Sequence, residues 1–157
     1  MADTTRGIRM EVGLRMLPQH SVISETGRVT ADQLHEFIAS AIDRLKSTAR
    51  AVDSPYVTYY SPVSPRQAGD VEVCLPVAPT VIDPRSRREV PATKFAFTRI
   101  VKGMSVYPHI ISAYEAVEAW AAANSMDLAG PGIEIYFANL RQVKDDDLAV
   151  DVGFPVR

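Results

Sequence analysis

Apolar and polar residues recur at strand and helix spacing along the chain, and the pattern predicts a strand–helix–strand–strand unit that occurs twice. Apolar residues at every second position across residues 8–17 predict a half-buried strand, which Val22-Ile23 extend or resume. Thr30 is a favourable helix N-cap, with Gln33 as its capping-box partner. The apolar stripe that follows predicts a helix that fades near Ala51.

The rest of the chain is divided by turn-forming residues into further elements. A second helix is predicted from Pro108 or His109 to Asn124, and turns are predicted at residues 129–132 and 145–147. Segments rich in β-branched and aromatic residues predict strands at residues 56–60, 70–77, 94–101, 133–138 and 149–156.

The two halves also share a sequence pattern. Residues 72–77, Glu-Val-Cys-Leu-Pro-Val, return 79 residues later as residues 151–156, Asp-Val-Gly-Phe-Pro-Val. In the same register, the strand predicted at residues 56–60 and the first helix fall on the corresponding elements of the second half. Three matched segments in one register predict a pseudo-two-fold domain, and such domains commonly place a ligand cleft between their halves.

Short helices on one face of a mainly antiparallel sheet make the predicted fold class α+β, with a central cleft. The first repeat is expected at about residues 8–77, the connector at 78–92 and the second repeat at about 93–157. Residues 1–7 are interpreted as a disordered leader. At this length, a single domain spanning residues 1–157 is expected.

Composition narrows the possible partners. The net charge of −2 provides no basic field for a nucleic acid, so no direct nucleic-acid binding is expected. The basic run at residues 85–88 is interpreted as a solvated loop rather than an anion site. Cys74 is the only cysteine, which excludes an internal disulfide and a cysteine-based zinc site. Without a signal peptide or a membrane-length apolar stretch, we expect a cytoplasmic protein with no membrane partner.

Glu134 is the unusual residue of the chain, since its neighbours at residues 133–137 are otherwise apolar or aromatic. Alternation turns Glu134 and Tyr136 to one face of that strand and Ile133, Ile135 and Phe137 to the other. One interpretation is an edge-strand glutamate in water. The other is a carboxylate inside a pocket, which needs a cationic partner or a proton because burying an unpaired charge costs several kcal/mol.

The remaining candidates for chemistry are the aromatic residues, histidines and cysteine. Cys74 lies in an apolar strand and is interpreted as an inert buried thiol. His20 and His35 show no metal-ligand spacing, while His109 near the start of the second helix is a possible ligand contact. The aromatic residues either form core or wall a pocket for a flat or cationic ligand: Tyr56, Tyr59, Tyr60, Phe97, Tyr107, Tyr114, Trp120, Tyr136 and Phe137.

These motifs, taken in order, resemble the GyrI-like family, the effector-binding domains of multidrug-sensing transcription regulators and their stand-alone relatives. The resemblance covers nearly the whole chain. It is carried by Leu17-Pro18, Tyr59 or Tyr60, residues 72–77, 95–98, Tyr107, 113–120, Gly130, residues 132–136 with their Glu-x-Tyr motif at 134–136, Asp147-Leu148 and residues 152–156. The chain departs from many relatives at Ser105-Val106-Tyr107, where they have Gly-Pro-Tyr.

The resemblance implies two strand–helix–strand–strand repeats around an aromatic-lined cleft, with a glutamate at its base that attracts lipophilic cations. That role falls on Glu134, with Tyr136 beside it. No cofactor and no metal are expected. The candidate ligand contacts are therefore Glu134, Tyr136, Trp120, Tyr107, Tyr59, Tyr114, Phe97 and His109.

Three functions follow as hypotheses. The first is a sensor or sequestering protein, with a resistance role, for flat hydrophobic and often cationic compounds. The second is a hydrolase, since some stand-alone relatives look like enzymes that open cyclopropane-containing genotoxins; Glu134 and Trp120 would be its catalytic residues, with a carboxylate near neutral pKa activating water. The third is an inhibitor-type domain that docks on a protein partner, and a homodimer is also possible.

Overall fold

The computed structural model describes residues 10–82 and 87–157, where one continuous sheet carries two helices. The elements of the first half, in chain order, are β1 (Val12–Leu17), β2 (His20–Val29), α1 (Ala31–Thr48), β3 (Tyr56–Tyr59) and β4 (Gly69–Val77). Those of the second half are β5 (Arg88–Val90), β6 (Thr93–Val101), a short 3-10 helix (Lys102–Met104), α2 (His109–Ala123), β7 (Gly132–Tyr136) and β8 (Leu148–Val156).

The order of the strands shows the pseudo-two-fold arrangement. The sheet runs β1-β6-β8-β7-β3-β4-β2-β5, and its paired strands are antiparallel. The units β2-α1-β3-β4 and β6-α2-β7-β8 occupy equivalent positions, and they meet where β3 pairs with β7. The outer strands are exchanged, because β1 pairs with β6 of the second unit and β5 pairs with β2 of the first. The predicted α+β fold of two repeats is confirmed.

Both helices pack on one face of the sheet and leave its centre uncovered. Helix α1 contacts β2 and β4, while α2 contacts β6 and β8. The capping box forms as predicted at the start of α1, where the backbone N–H of Thr30 donates to the side chain of Gln33 at 3.1 Å. Ile38, Ala41 and Leu45 are the buried residues of α1. Since the backbones of the helices lie over β2, β4, β6 and β8 and not over β3 and β7, a gap between the helices lies over the middle of the sheet.

Two strands differ from the sequence prediction. The first strand of the first unit is β2, whereas the alternating segment beginning at Val12 forms the exchanged strand β1; Ile8 lies outside the described residues. The predicted connector at 78–92 contains β5, which the sequence did not predict. The prediction of a solvated loop is therefore wrong at Arg88, which is paired with a buried glutamate; residues 85 and 86 lie outside the described residues.

Candidate functional site

The gap between the helices is a cleft of about 630 Å³ whose floor is formed by β3 and β7. This volume lies within the range of roughly 300–1,000 Å³ that is usual for small-molecule sites. Most of its wall is apolar. The two helices contribute Leu34, His35, Ile38, Ile110, Ile111, Tyr114 and Glu118, and the loops that precede or follow the strands add Pro62, Val63, Val106 and Tyr107.

Glu134 lies at the base of this cleft and is only 4% exposed. Three tyrosine hydroxyls donate to its carboxylate. Tyr59 and Tyr136 donate to Oε1 at 2.8 and 2.6 Å, and Tyr114 donates to Oε2 at 2.6 Å. Because β7 lies between β8 and β3, Glu134 is in the interior of the sheet, and the interpretation as an edge-strand glutamate is wrong.

The surroundings of Glu134 make its ionised form less favourable than it is in water. Burial raises the pKa of Glu134, and the hydrogen bonds from Tyr114, Tyr136 and Tyr59 only partly oppose that rise. Burial and the neighbouring Glu134 also raise the pKa values of all three tyrosines well above their ordinary value, so the tyrosines remain hydrogen-bond donors.

Glu72 provides a comparison within the same sheet. It is also buried, and it accepts hydrogen bonds from Tyr60 at 2.6 Å and Ser24 at 2.7 Å. Burial opposes its ionisation, but Arg88, whose Nη2 lies 2.5 Å from Oε1, together with Tyr60 and Ser24 lowers its pKa. Across residues 10–82 and 87–157, no lysine, arginine or histidine forms such an ion pair with Glu134. Among the described residues, Glu134 is thus a buried carboxylate with three tyrosine donors and no basic partner.

Gly132 makes room for one of the tyrosines. A Cβ atom at this position would lie 2.8 Å from Cε1 and 3.4 Å from the hydroxyl of Tyr114. The absence of a side chain therefore allows the Tyr114 ring to cross the end of β7 and reach Glu134, which lies two residues further along the strand.

Five of the eight predicted ligand contacts lie together in the cleft. Glu134, Tyr59, Tyr107, Tyr114 and Tyr136 all line it. The predicted alternation along β7 is confirmed, because the neighbouring apolar residues of that strand face the opposite side of the sheet.

The structure places the other three predicted contacts, Trp120, Phe97 and His109, outside the cleft wall. Trp120 packs against a small cluster around Val117 and Ala121, because its position on α2 turns it away from Tyr114. Phe97 stacks on Phe95 with ring centroids 5.5 Å apart, on the face without helices. His109 begins α2 and is exposed.

Several cleft residues were not predicted as ligand contacts. His35, for which the sequence showed no metal-ligand spacing, is exposed and lines the rim opposite α2. The sequence repeat contains the signal that would have found it, since the 79-residue register places His35 on Tyr114. Glu118 adds a second carboxylate at the exposed rim.

Three further observations concern metal ligands, the cysteine and the helices. Within residues 10–82 and 87–157, no group of three or more histidine, cysteine or acidic residues is arranged to hold a metal ion. Cys74 is buried, and burial raises the pKa of its thiol to about 12, as expected for an inert thiol. No helix in the described ranges is long and apolar enough to cross a membrane.

We expect the Glu134→Gln substitution to stabilise the free protein at neutral pH. Between the unfolded pKa of about 4.3 and the raised folded pKa, the unfolded chain ionises while the folded protein keeps its proton, so stability falls as pH rises through that window. Glutamine avoids this loss; its Oε1 keeps the bonds from Tyr59 and Tyr136, and its Nε2 can donate to the Tyr114 oxygen. Urea unfolding at several pH values measures the effect.

The matched control is Glu72→Gln, which we expect to act in the opposite direction. The pKa of Glu72 is lowered in the folded state, so its ionised form stabilises the fold above the unfolded pKa and this stabilisation is lost as pH falls. Destabilisation by both substitutions at pH 7 would contradict the proposed difference between the two buried glutamates.

Comparison with known proteins gives matches by structure. No family model and no curated protein sequence matches this chain significantly. The C-terminal domain of EcmrR is 15% identical with a TM-score of 0.76, over 94% of this chain and 98% of the domain; the chain spans 57% of the longer EcmrR seen in a DNA complex. SAV2435 bound to tetraphenylphosphonium is 10% identical with a TM-score of 0.65, over 94% of each chain.

An enzyme shares the same architecture. A hydrolase from Listeria innocua is 10% identical with a TM-score of 0.62, over 95% of this chain and 93% of that protein. At these identities the likeness concerns the fold, and it agrees with the two repeats and the central cleft described above. The chain therefore has the fold of the GyrI-like domains that its sequence resembles.

Proposed function

We propose that this protein binds flat, hydrophobic, cationic small molecules in the cleft, with Glu134 as the counter-ion. The observation that carries the proposal is the buried carboxylate of Glu134, which has three tyrosine donors and no basic partner in the described ranges. A cation of delocalised charge supplies the missing partner, and the apolar and aromatic walls remove its hydrophobic groups from water.

The energetics favour such a ligand over a strongly hydrated one. A compact ammonium loses a large hydration energy on entering an apolar cleft, whereas a lipophilic cation loses little. Once bound, such a cation lowers the pKa of Glu134 and forms an ion pair with its carboxylate within a medium of low dielectric constant. The fold neighbour SAV2435, seen with tetraphenylphosphonium, supports a lipophilic cation as the ligand. A sensor or sequestering role with a part in resistance is consistent with such binding.

A hydrolase that opens cyclopropane-containing genotoxins is the second candidate. It is favoured by the Listeria innocua hydrolase of the same fold and by the raised pKa of Glu134, which suits a carboxyl group that exchanges protons with water during a reaction. In this reaction, Glu134 takes a proton from water as the oxygen bonds to a ring carbon and a C–C bond of the cyclopropane breaks. The electron pair of that bond passes into the conjugated system of the substrate, which then takes up a proton, so that one water is added overall. Trp120 packs outside the cleft, so any catalytic role rests on Glu134 and the tyrosines.

A turnover assay separates the two candidates. A small amount of protein is mixed with an excess of lipophilic cations and of a cyclopropane-bearing alkylator, and mass spectrometry follows substrate loss and the gain of one water. We expect saturable binding of the cations without conversion. Multiple turnover of the alkylator that is lost in Glu134→Gln, while binding persists, would instead make the protein a hydrolase.

A further inference from the structure

The face of the sheet opposite the helices carries a second groove, of about 370 Å³. Its floor is apolar and comes from Ile133 and Ile135 of β7 and from Phe137, the residue that follows this strand, which all point away from the cleft. Three arginines line it: Arg15 from β1, Arg99 from β6 and Arg88 from β5. Strand β7 therefore contributes to both sites, and its successive side chains face the groove and the cleft alternately.

Curvature of the sheet creates the groove. Arg15 and Arg88 lie on the two edge strands, which are seven interstrand spacings apart. In a flat sheet this would separate them by about 34 Å, at about 4.8 Å per spacing. Both nevertheless line a single groove of modest volume, so the sheet curls and its face without helices is concave.

The acidic residue that begins each copy of the repeated hexapeptide forms ion pairs with the arginines of the groove. Asp151 and Glu72 are equivalent in the 79-residue register, and their side chains are 1% and 7% exposed. Arg99 donates to both oxygens of Asp151, at 2.7 and 3.0 Å, and Arg15 donates to Oδ2 at 3.0 Å. The carboxylates are thus buried beneath the surface, whereas the arginine side chains are 39–47% exposed.

The guanidinium groups are also positioned by aromatic rings. The Arg15 guanidinium carbon lies 4.9 Å from the centroid of Phe97, and that of Arg99 lies 4.3 Å from the centroid of Phe137. Each ring supports its guanidinium by a cation–π contact and limits its movement. The Nε of Arg15 is buried without a hydrogen-bond partner within the described residues. A guanidinium has five N–H donors, so donors remain beyond those bonded to Asp151.

We propose that this groove is a second binding site, for a flat apolar anion such as an aromatic carboxylate or sulfonate. The anionic group binds the exposed N–H donors of Arg15 and Arg99, and the hydrocarbon part lies on the floor formed by β7. Arginine suits this role because its planar group matches carboxylate and sulfonate oxygens. Asp53, an exposed acid that also lines the groove, disfavours an anion at its own position and so directs the charge toward Arg15 and Arg99.

The test uses two probes that differ mainly in one charge. 8-Anilinonaphthalene-1-sulfonate is the anion, and N-phenyl-1-naphthylamine is the same ring system without the sulfonate. Binding is measured by calorimetry rather than fluorescence, because the anilinonaphthalene dyes also brighten on partly unfolded protein. We expect one sulfonate bound per chain, about tenfold more tightly than the neutral amine.

Variants and competition locate the site. Arg99→Gln is expected to weaken the binding of the sulfonate about tenfold and to leave the binding of the neutral amine unchanged. The site keeps its shape in this variant because Arg15 still donates to Asp151. Arg28→Gln is the matched control, since Arg28 is paired with the exposed Asp70 and does not line the groove. Unchanged binding of tetraphenylphosphonium by each variant verifies that the fold and the cleft are intact.

Nuclear magnetic resonance gives an independent readout that does not depend on a variant. The sulfonate is expected to shift the Nε–Hε signals of Arg15 and Arg99, and saturating tetraphenylphosphonium is expected not to reverse those shifts. The proposal would be overturned if the protein bound the two probes with equal affinity, or if Arg99→Gln bound the sulfonate as tightly as the unsubstituted protein does. Displacement of the sulfonate by the phosphonium would overturn it as well.

Discussion

Replacing Glu134 with glutamine should weaken the binding of tetraphenylphosphonium by about 100-fold, or roughly 3 kcal/mol. The substitution removes the buried negative charge while its shape and the three tyrosine contacts can be kept. The affinity for triphenylphosphine oxide, an uncharged compound with three of the same rings, should fall by less than about threefold, because this compound is bound mainly by the apolar wall of the cleft. Calorimetric titration of both compounds measures the two changes.

Glu118→Gln is the matched control for this experiment. Glu118 lines the same cleft but is exposed at its rim, so water and salt screen its charge. Its substitution removes the same formal charge and should weaken tetraphenylphosphonium binding by less than about threefold. If Glu134→Gln reduced the affinities for the cation and the neutral compound equally, or if both glutamate variants lost the same affinity for the cation, a counter-ion role at the base of the cleft would be excluded.

The largest expected effect on stability comes from Gly153→Ala. Gly153 lies on β8, where it pairs with Phe97 of β6 and Ile133 of β7. An added Cβ would lie 1.9 Å from the carbonyl oxygen of Ala96 and 2.8 Å from the Cα of Phe97. Both are backbone atoms, so the clash can be relieved only by separating the strands. We expect a loss of about 3 kcal/mol, seen as a fall in melting temperature of about 10 °C.

Gly13→Ala controls for the general cost of adding a methyl group to this sheet. Gly13 also pairs with Phe97, but from β1, and a Cβ there would lie 3.5 Å from the Phe97 ring, an ordinary van der Waals distance. Its melting temperature should change by no more than about 2 °C. Similar melting temperatures for the two variants would show that the sheet accommodates a side chain at Gly153, contrary to the close approach described here.

Local patterns were sufficient to predict most of the elements and the position of Glu134 on its strand. The capping box fixed the start of α1, and alternation fixed which residues of β7 face the cleft. The Glu-x-Tyr motif at residues 134–136 places two side chains next to each other on one face of the same strand, so their proximity can be predicted from the sequence alone. In this motif the Tyr136 hydroxyl, 2.6 Å from Glu134, forms its contact within the same strand.

The missed features depend on residues that are distant in the chain. The sequence predicted strand at Val22-Ile23 but not the full length of β2. Residues 24–28 carry no apolar side chain, and their partners come from elsewhere: Ser24 donates to Glu72, and Arg28 pairs with Asp70. Arg88 looked like part of a loop because nothing nearby in sequence shows that it pairs with Glu72. In these segments the strand conformation is determined by contacts with residues distant in the chain and not by the local sequence pattern.

The position of Trp120 shows a different limit. The periodicity of α2 places Trp120 near the helical stripe, and the resemblance to the family made it a candidate for the cleft. Which sector of that stripe faces the ligand depends on how α2 lies over β6 and β8, and the side chain packs beside Val117 and Ala121 instead. Tyr114, six residues earlier, is the α2 aromatic residue that reaches Glu134.

The linkage between cation binding and the proton on Glu134 can be measured directly. Tetraphenylphosphonium is titrated into the protein by calorimetry at several pH values from 5 to 8, in pairs of buffers that differ in their enthalpy of ionisation. Because burial raises the pKa of Glu134 and the cation lowers it again, binding should release a proton in the pH range between these two values, and Glu134→Gln should release none. Binding that releases no proton at any of these pH values, or that releases the same number from Glu134→Gln, would contradict Glu134 as the buried counter-ion of the ligand.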